Sequence, residues 1–285
     1  MSIAHLDEAE IYYEIHGNGP PLVFIHGAGG SHLAFWQQVP FFLGSYTCLV
    51  YDQRGFGRST AHGQHDPADG AALLGDLEAL LDHTGLSGER LRLVGQSLGT
   101  LCSLGYAANH PERVAAIVLS AGIGGLVSPE AEAAWARIDA LGASTPGVQA
   151  DLPAPAARSG DEQARFGPMY QAQGPLGPTM IREKPALTYL YAELAVASAG
   201  PPLPLLLKAW RTGRPVSTEE ADRLRMPVLL INGDEDPRFP PATLEAVARR
   251  FPAGCHRVIA RSGHSPYFHR AEEFNRTVQA FFDGR

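Results

Sequence analysis

The 285-residue sequence lacks features that would place it in a membrane or on a nucleic acid. It has no apolar run close to the ~20 residues of a membrane span. Its first residues contain no basic segment followed by an apolar one, so we expect no signal peptide and a cytoplasmic protein. The net charge of −7 argues against nucleic acid and anionic membrane surfaces as partners.

Cysteine is also scarce, and its number is odd. The three cysteines, Cys48, Cys102 and Cys255, lie in or beside apolar runs. This placement predicts buried free thiols in a reducing compartment and no disulfide framework.

What the sequence does contain is an alternation of short apolar runs and helical patterns. Hydrophobic residues make up 45% of the chain and charged residues 19%, and the length suits one large domain or a core with an insertion. After an N-terminal hairpin pattern, strands that alternate with helices predict an α/β fold with a mostly parallel sheet. The strand runs are 21–27, 46–52, 91–95, 114–122, 226–237 and 256–264.

This alternation stops at Ile123 and resumes after Pro215. The residues between carry helical patches separated by proline and glycine, with no convincing pattern of a buried strand. A structureless loop of that length is implausible in a compact domain. We therefore predict a core made of 1–122 and 216–285, with a helical insertion over 123–215.

Ser97 stands between two glycines in "GQSLG", residues 95–99. An apolar strand run precedes the motif and a helical run of small and apolar residues follows it. A serine on such a strand-to-helix turn can be a nucleophile, with the helix N-terminus beneath a developing oxyanion. An ordinary helix-capping serine is the alternative interpretation.

A serine nucleophile needs a base, and the base needs an orienting acid. Asp234 and Asp236 follow one strand run, and His264 follows the next. Loops at the carboxyl ends of parallel strands build the site in such a sheet. The residues alone leave both aspartates open as the acid.

Five motifs in this order resemble those of the α/β-hydrolase family, over nearly the whole chain. They are "HGAGG" at 26–30, "DQRGFGRS" at 52–59, "GQSLG" at 95–99, "NGDEDPRFP" at 232–240 and "SGHS" at 262–265. The resemblance implies an eight-stranded, mostly parallel sheet flanked by helices, and it identifies the insertion as a helical cap, or lid.

The resemblance also implies a Ser97–Asp236–His264 triad. The family's G-x-x-D pattern selects Asp236, counted from Gly233, and makes Asp234 a turn residue. Some relatives carry the acid after the sixth strand, where this chain has only Ser120-Ala121-Gly122. One departure from the family pattern is His269, which stands five residues after His264, where the family has a glutamate.

By the same resemblance, the oxyanion hole uses the backbone N–H groups of Ala28 and Leu98. Gly27, with its neighbouring glycines, lets the loop approach the substrate closely. We expect His26 to brace this loop, and Asp52 with Arg54 to brace the loop beside it.

A cap in this family covers the site and sets substrate shape. We predict that Phe35 and Trp36, after the oxyanion loop, and Tyr170 and Trp210, in the cap, contact the substrate. Other apolar cap residues could line the pocket or form cap core: Trp135, Phe166, Met169, Tyr189 and Tyr191.

The predicted function is a serine hydrolase that cleaves esters or lactones of small to medium apolar substrates through an acyl-enzyme. No metal or organic cofactor is implied, the partner is a small-molecule substrate, and we expect a monomer or homodimer. Ser97 argues against epoxide hydrolases and haloalkane dehalogenases, which carry aspartate at this turn.

Three alternatives stay open. The "DQRGFGRS" loop is similar to that of proline iminopeptidases, although these typically carry H-G-G-P-G and G-G-S-W-G motifs, and Glu193 is the only obvious cap carboxylate for a substrate amine. Hydrolases of carbon–carbon bonds in diketones usually have H-G-x-G-P-G, and that proline is missing here. A non-enzymatic ligand receptor on the same fold can keep an intact triad.

Overall fold

The computed structural model describes residues 2–62, 69–143, 176–198, 200–201, 210 and 213–285. Nine strands in this part of the chain form one sheet. They are β1 (Ser2–His5), β2 (Ala9–His16), β3 (Pro21–Ile25), β4 (Thr47–Tyr51), β5 (Thr60–Ala61), β6 (Leu91–Gln96), β7 (Val114–Ser120), β8 (Val228–Gly233) and β9 (Gly254–Ile259).

Eight strands follow the path β1-β2-β4-β3-β6-β7-β8-β9, and β5 pairs only with β2. The pairs of β2 with β1, β4 and β5 are antiparallel, and every pair from β4 to β9 is parallel. The predicted mostly parallel sheet is confirmed, with nine strands where eight were predicted. The ninth strand has two residues, too few to show a periodic pattern in the sequence.

Parallel pairing brings the carboxyl ends of the central strands to one edge of the sheet. Ile25 of β3 pairs with Gly95 of β6, and Gly233 of β8 pairs with Ile259 of β9. The loops that follow these four strands therefore meet at the same edge, as expected for a site in an open parallel sheet.

The central strands are mostly apolar because both faces of the sheet pack into a core. All five residues of β3 are buried. Val23 and Ile25 pack into one core cluster, whereas Leu22 and Phe24 pack into the other. In the sequence, β3 is therefore a continuous apolar run. It lacks the alternation of apolar and polar residues that is typical of a sheet with one exposed face.

The α-helices of the described residues connect or flank these strands. They are α1 (Val39–Phe42), α2 (Gly70–His83), α3 (Gly99–Asn109), α4 (Pro129–Ala143), α5 (Pro178–Glu183), α6 (Pro185–Ala197), α7 (Thr218–Ala221), α8 (Pro241–Ala248), α9 (Pro266–His269) and α10 (Ala271–Phe282). None of them is both long enough and apolar enough to cross a membrane.

Helix α2 illustrates how local sequence sets its ends. The Asp69 side chain accepts a hydrogen bond from the backbone N–H of Ala71 (3.0 Å), which caps the first turn. Its buried leucines face the core, and the chain leaves the helix through Gly85 at φ +71°. Glycine tolerates this left-handed conformation without a Cβ clash.

The described parts of 123–215 carry α4, α5 and α6, and a single bridge joins Leu126 to Val216. No strand of the sheet comes from these parts. The boundaries of a core and a cap stay a prediction.

The three cysteines are free thiols. Cys48 and Cys102 are buried as predicted, and burial raises the pKa of each thiol to about 12. The prediction of burial is wrong for Cys255, which lies on the edge strand β9 and is partly exposed.

Candidate active site

Ser97 occupies the turn between β6 and α3 in a backbone conformation rare for a side-chain-bearing residue, with φ +49°. Its N–H donates to the carbonyl oxygen of Ser120 on β7 (2.8 Å), which anchors the turn to the sheet. Such strain persists only where surrounding contacts hold it, and it clusters at functional sites.

Positions 95 and 99, two residues before and two residues after Ser97, have no room for a side chain. A Cβ on Gly95 would lie 2.5 Å from the Gly99 carbonyl oxygen, and a Cβ on Gly99 would overlap the Ile25 carbonyl. The helix therefore packs directly on the strand ends, which explains why glycines flank the serine.

Ser97, His264 and Asp236 form a hydrogen-bonded relay. The Oγ of Ser97 lies 2.9 Å from Nε2 of His264, and Nδ1 of His264 lies 2.9 Å from Oδ2 of Asp236. Because a carboxylate only accepts, Nδ1–H donates to Asp236 and Nε2 is left to accept from the serine hydroxyl. The three residues are buried, at 6%, 5% and 3% exposure.

The second oxygen of Asp236 is held by the backbone. Its Oδ1 accepts from the N–H groups of Arg238 (2.9 Å) and Phe239 (3.2 Å). The ring of Phe239 is stacked near that of His264, with centroids 6.0 Å apart and planes inclined by 15°. Sequence reasoning missed Phe239, and its place three residues after the predicted acid was the only signal for it.

Asp234 lies outside this relay. It is exposed, and its Oδ1 accepts from the N–H of Ser262 (3.1 Å), which ties the turn after β8 to the loop that carries His264. Gly233 permits the crossing, because a Cβ there would overlap the Ser262 carbonyl. This is the geometry of a turn residue.

The predicted oxyanion residues flank the same edge of the sheet. Leu98 is the N-cap residue of α3. The first backbone N–H groups of a helix have no hydrogen-bond partner within that helix. Ala28 lies in the loop after β3. A Cβ on Gly27 would overlap the side chain of Gln96, so this loop lies close against the residue before Ser97.

His26 braces the loop after β3, as expected. Its Nε2 accepts from the N–H of Gln53 (3.0 Å), and its Nδ1–H donates to the Gly27 carbonyl (2.8 Å). The side chain of Gln53 donates back to the His26 carbonyl (2.6 Å). Burial lowers the pKa of His26, which keeps the ring neutral in this arrangement.

Asp52 and Arg54 brace their loop through different partners and not as a pair. Oδ1 of Asp52 accepts from the backbone N–H (2.6 Å) and Nδ1 (2.7 Å) of His32. Burial alone would raise the pKa of Asp52, but hydrogen bonds from His32 and the Arg58 N–H outweigh it and lower that pKa. Arg54 makes two 2.6 Å hydrogen bonds to Asp76 on α2.

A small cavity of about 30 Å³ lies beside the oxyanion loop. The loop contributes Ala28 to Ser31, and the opposite wall comes from α6 and α9. The lining residues are Ala28, Gly29, Gly30, Ser31, Ala34, Gln96, Tyr191, Leu194, Ala195, Ser198, Tyr267 and Phe268.

Of the described residues that were predicted to contact substrate, none lines this cavity, although Gly27 adjoins its lining residue Ala28. Phe35 is core, packed on Phe24 and Tyr267 with centroids 5.0 Å and 5.4 Å away, and Trp36 is 43% exposed. Trp210 is buried, and its Nε1–H donates to the Gly124 carbonyl (3.3 Å). Tyr170 lies outside the described residues, as do Phe166 and Met169.

His269, the departure from the family pattern, is buried on α9 with 1% exposure. Neither ring nitrogen has a hydrogen-bond partner among the described residues. Burial lowers its pKa to about 4, helped by the positive charges of Arg270, Lys184 and Arg261. The ring is therefore neutral near pH 7.

The sequence profile described as "alpha/beta hydrolase fold" matches residues 20–271. The chain belongs to this family, as the sequence predicted. An esterase from Thermogutta terrifontis (malate bound) superposes with TM-score 0.77 and 22% identity, covering 100% of this chain and 99% of that one. An enol-lactonase from Burkholderia xenovorans LB400 gives TM-score 0.72 at 22% identity, covering 99% and 100%. At this identity both show the fold alone.

Among curated proteins, a probable proline iminopeptidase from Streptomyces coelicolor is 32% identical over 206 residues, 68% of this chain and 60% of that protein. The chain spans about a third to three fifths of the length of the first curated relatives that it matches.

Proposed function

We propose that this chain is a serine hydrolase that cleaves carboxylic esters or lactones of small to medium apolar substrates. The observation that carries the proposal is the relay from Ser97 through His264 to Asp236, with both hydrogen bonds at 2.9 Å. The strained backbone of Ser97 supports it, because that turn lifts the hydroxyl to the edge where the three loops meet.

In the first half-reaction, Oγ of Ser97 attacks the ester carbonyl carbon while Nε2 of His264 takes the hydroxyl proton. Asp236 holds the Nδ1–H and stabilises the imidazolium that forms. The N–H groups of Leu98 and Ala28 would bind the oxyanion. As the tetrahedral intermediate collapses, Nε2 returns its proton to the leaving oxygen, and the acyl group stays on Ser97.

In the second half-reaction, water replaces the leaving alcohol. His264 takes a proton from the water as it attacks the acyl carbon, and then returns that proton to Oγ of Ser97. The carboxylic acid leaves and the resting relay is restored. Each step uses only groups of this chain, the substrate and water.

The walls of the cavity indicate which acyl groups fit. Leu194 and Phe268 give it apolar surface, and each buried methylene adds about 0.8 kcal/mol, a several-fold gain in affinity. A cavity of about 30 Å³ limits this gain to short groups. We expect kcat/KM to rise with acyl length and then to fall once the cavity is filled.

The second candidate is a proline-iminopeptidase-like peptidase, favoured by the identity to the Streptomyces coelicolor protein. Its requirements fit this chain less well. The elbow and oxyanion motifs differ from those typical of that group, and a substrate ammonium needs a carboxylate near the acyl site. Glu193 on α6 is the candidate for that role, but it does not line the cavity.

A hydrolysis screen tests the proposal. It would include chromogenic esters of graded acyl length, lactones, a prolyl anilide and a ring-cleavage diketone, each with wild type and Ser97→Ala. We expect esters or lactones to be turned over by wild type alone. Faster cleavage of the prolyl anilide than of the best ester would support the peptidase. Turnover of the diketone alone would indicate carbon–carbon hydrolysis, and binding without turnover would indicate a receptor.

A further inference from the structure

The cavity beside the oxyanion loop has a polar cluster in one wall. The hydroxyl of Tyr191, on α6, lies 3.0 Å from Oγ of Ser265, the residue after His264. The side chain of Tyr267, on α9, lies near both. Tyr191 and Tyr267 line the cavity, and Ser265 is buried behind them.

The rings that carry these hydroxyls are fixed by packing. Tyr191 meets Phe268 edge to face, with centroids 4.9 Å apart. Tyr267 packs against Phe35 at 5.4 Å and Phe274 at 6.3 Å. Rigid rings hold the hydroxyls in place, so the cluster is a preorganised feature of the wall.

A hydroxyl supplies one hydrogen and two acceptor lone pairs. The contact between Tyr191 and Ser265 uses one of the three hydroxyl hydrogens of the cluster, so hydrogens and lone pairs both remain. Ser31 and Ser198, also in the cavity wall, form a second hydroxyl pair, because their Oγ atoms lie 2.9 Å apart and Ser198 donates to the Leu194 carbonyl (2.7 Å). The cavity therefore offers both donors and acceptors, and a ligand hydroxyl, which can donate and accept, complements them.

The lining of the cavity favours a neutral polar group over a cationic one. Its described lining residues include no charged side chain. A substrate ammonium would lose its hydration there without a carboxylate to replace it, whereas a hydroxyl can form hydrogen bonds with the cluster. This argument separates a hydroxylated acyl group from the amino-terminal residue of a peptide.

The position of the cavity indicates which part of the substrate enters it. Ala28, whose N–H is placed in the oxyanion hole, and Gln96, the neighbour of Ser97, both line it. A group bound there extends from the carbonyl whose oxygen the hole would hold. We propose that this cavity is the acyl subsite, and that Tyr191, Tyr267 and Ser265 select short acyl groups bearing a neutral hydroxyl. This inference rests on the proposed ester hydrolysis at Ser97.

The test compares phenyl glycolate with phenyl propionate. The two esters share a leaving group, and their acyl groups differ by a hydroxyl in place of a methyl. The ratio of kcat/KM for the two is measured in wild type, Tyr191→Phe and Tyr189→Phe. Tyr189 is the matched control, because it lies on the same helix but is 52% exposed. The glycolate-to-propionate ratio of each variant is divided by that of wild type. This division cancels the different intrinsic reactivities of the two esters.

We expect the glycolate-to-propionate ratio to fall about three- to tenfold in Tyr191→Phe, the loss of one hydrogen bond, and to stay within twofold in Tyr189→Phe. Tyr267→Phe should lower the ratio in the same direction, and it serves if Tyr191→Phe fails to fold. An unchanged ratio in both Tyr191→Phe and Tyr267→Phe would overturn the inference, as would an equal fall in the Tyr189 control.

Phenyl glycinate, with an ammonium in place of the hydroxyl, completes the series. We expect wild type to prefer the glycolyl ester to the glycinyl ester. The opposite preference would overturn the selection of a neutral group and favour the peptidase. Failure of folded wild type to hydrolyse any of these three esters would overturn the inference. Failure on every ester and lactone of the hydrolysis screen as well would overturn the proposed function itself.

Discussion

The sheet edge that holds Ser97 and the cavity wall beside it are built in different ways. At the edge, backbone geometry dominates, because the loops after β6, β8 and β9 meet there and only glycine fits at positions 95 and 99. In the wall, side chains dominate, because Tyr191 on α6 packs on the ring of Phe268 on α9 and its hydroxyl lies 3.0 Å from Oγ of Ser265. In our proposal, the edge performs the reaction and the wall selects the substrate.

This difference predicts two kinds of variant. A change at the edge should reduce turnover of every substrate, whereas a change in the wall should alter the ranking of substrates. An edge variant that affected only some esters would break the comparison.

The largest effect is expected for Ser97→Ala, which removes the attacking oxygen. Hydrolysis of all esters should fall by ~10⁴–10⁶-fold, with the thermal unfolding midpoint close to that of wild type. Steady-state rates and a melting curve check this. Residual activity within a hundredfold of wild type would mean that another group attacks.

Asp236→Asn should lower kcat by ~10⁴-fold, because an amide can hold the imidazole in the wrong tautomer. Asp234→Asn is the matched control two residues away, and its remaining amide oxygen can still accept from the Ser262 N–H. We expect this control to retain most of its activity. The reverse ranking would transfer the acid role to Asp234.

The loop behind the edge depends on the buried pair Arg54–Asp76, with side chains 3% and 6% exposed. Arg54→Met leaves the Asp76 carboxylate buried without its partner, and should lower the free energy of unfolding by about 3–5 kcal/mol. The control is Arg249→Met, which breaks an exposed pair with Glu245 and should cost about 1 kcal/mol or less. Denaturant unfolding measures both, and equal losses would contradict the assigned role of the buried pair.

His269 supplies the smallest expected effect, and it depends on pH. The unfolded chain binds a proton at this histidine near its ordinary pKa of about 6.5, but the folded chain does so only near pH 4. Between these values the unfolded state binds more protons, so stability is complete above pH 6.5 and is lost as the pH falls. The total loss at this site is about 3 kcal/mol.

His269→Phe keeps an aromatic ring and removes the titration. Unfolding free energies of both proteins are measured from pH 7 to pH 4, and that of wild type should fall relative to that of the variant as the pH falls. Arg261 and Arg270, which add positive charge here, both pair with Glu183. Parallel curves for the two proteins would show that the folded state protonates His269 normally.

The edge of the sheet was predictable from sequence because its information is local. Ser97 follows an apolar run, glycines mark the turn, and Asp236 and His264 each follow a strand whose end the parallel sheet brings to the same edge. The wall was not predictable in the same way. Phe35 and Trp36 are aromatic residues of the kind that often line binding sites. Phe35 nevertheless packs in the core, and Trp36 is 43% exposed.

The partners of loop residues were also beyond sequence reasoning. Asp52 and Arg54 are two positions apart, but Asp52 bonds to His32 and Arg54 to Asp76, each more than 19 residues away in the chain. A local pattern suggests that a charged residue braces a loop, whereas only packing determines which partner it finds. The same holds for the hydroxyl contact between Tyr191 and Ser265, which are 74 residues apart.

Active-site labelling tests the central claim, that Ser97 is the nucleophile, most directly. Wild type would be treated with a fluorophosphonate, digested, and mapped by mass spectrometry, with Ser97→Ala as the control. Our account predicts one phosphonate per chain, on Ser97, with none incorporated by the variant. A phosphonate on another residue, such as Ser265 beside His264, or equal labelling of the variant, would contradict it.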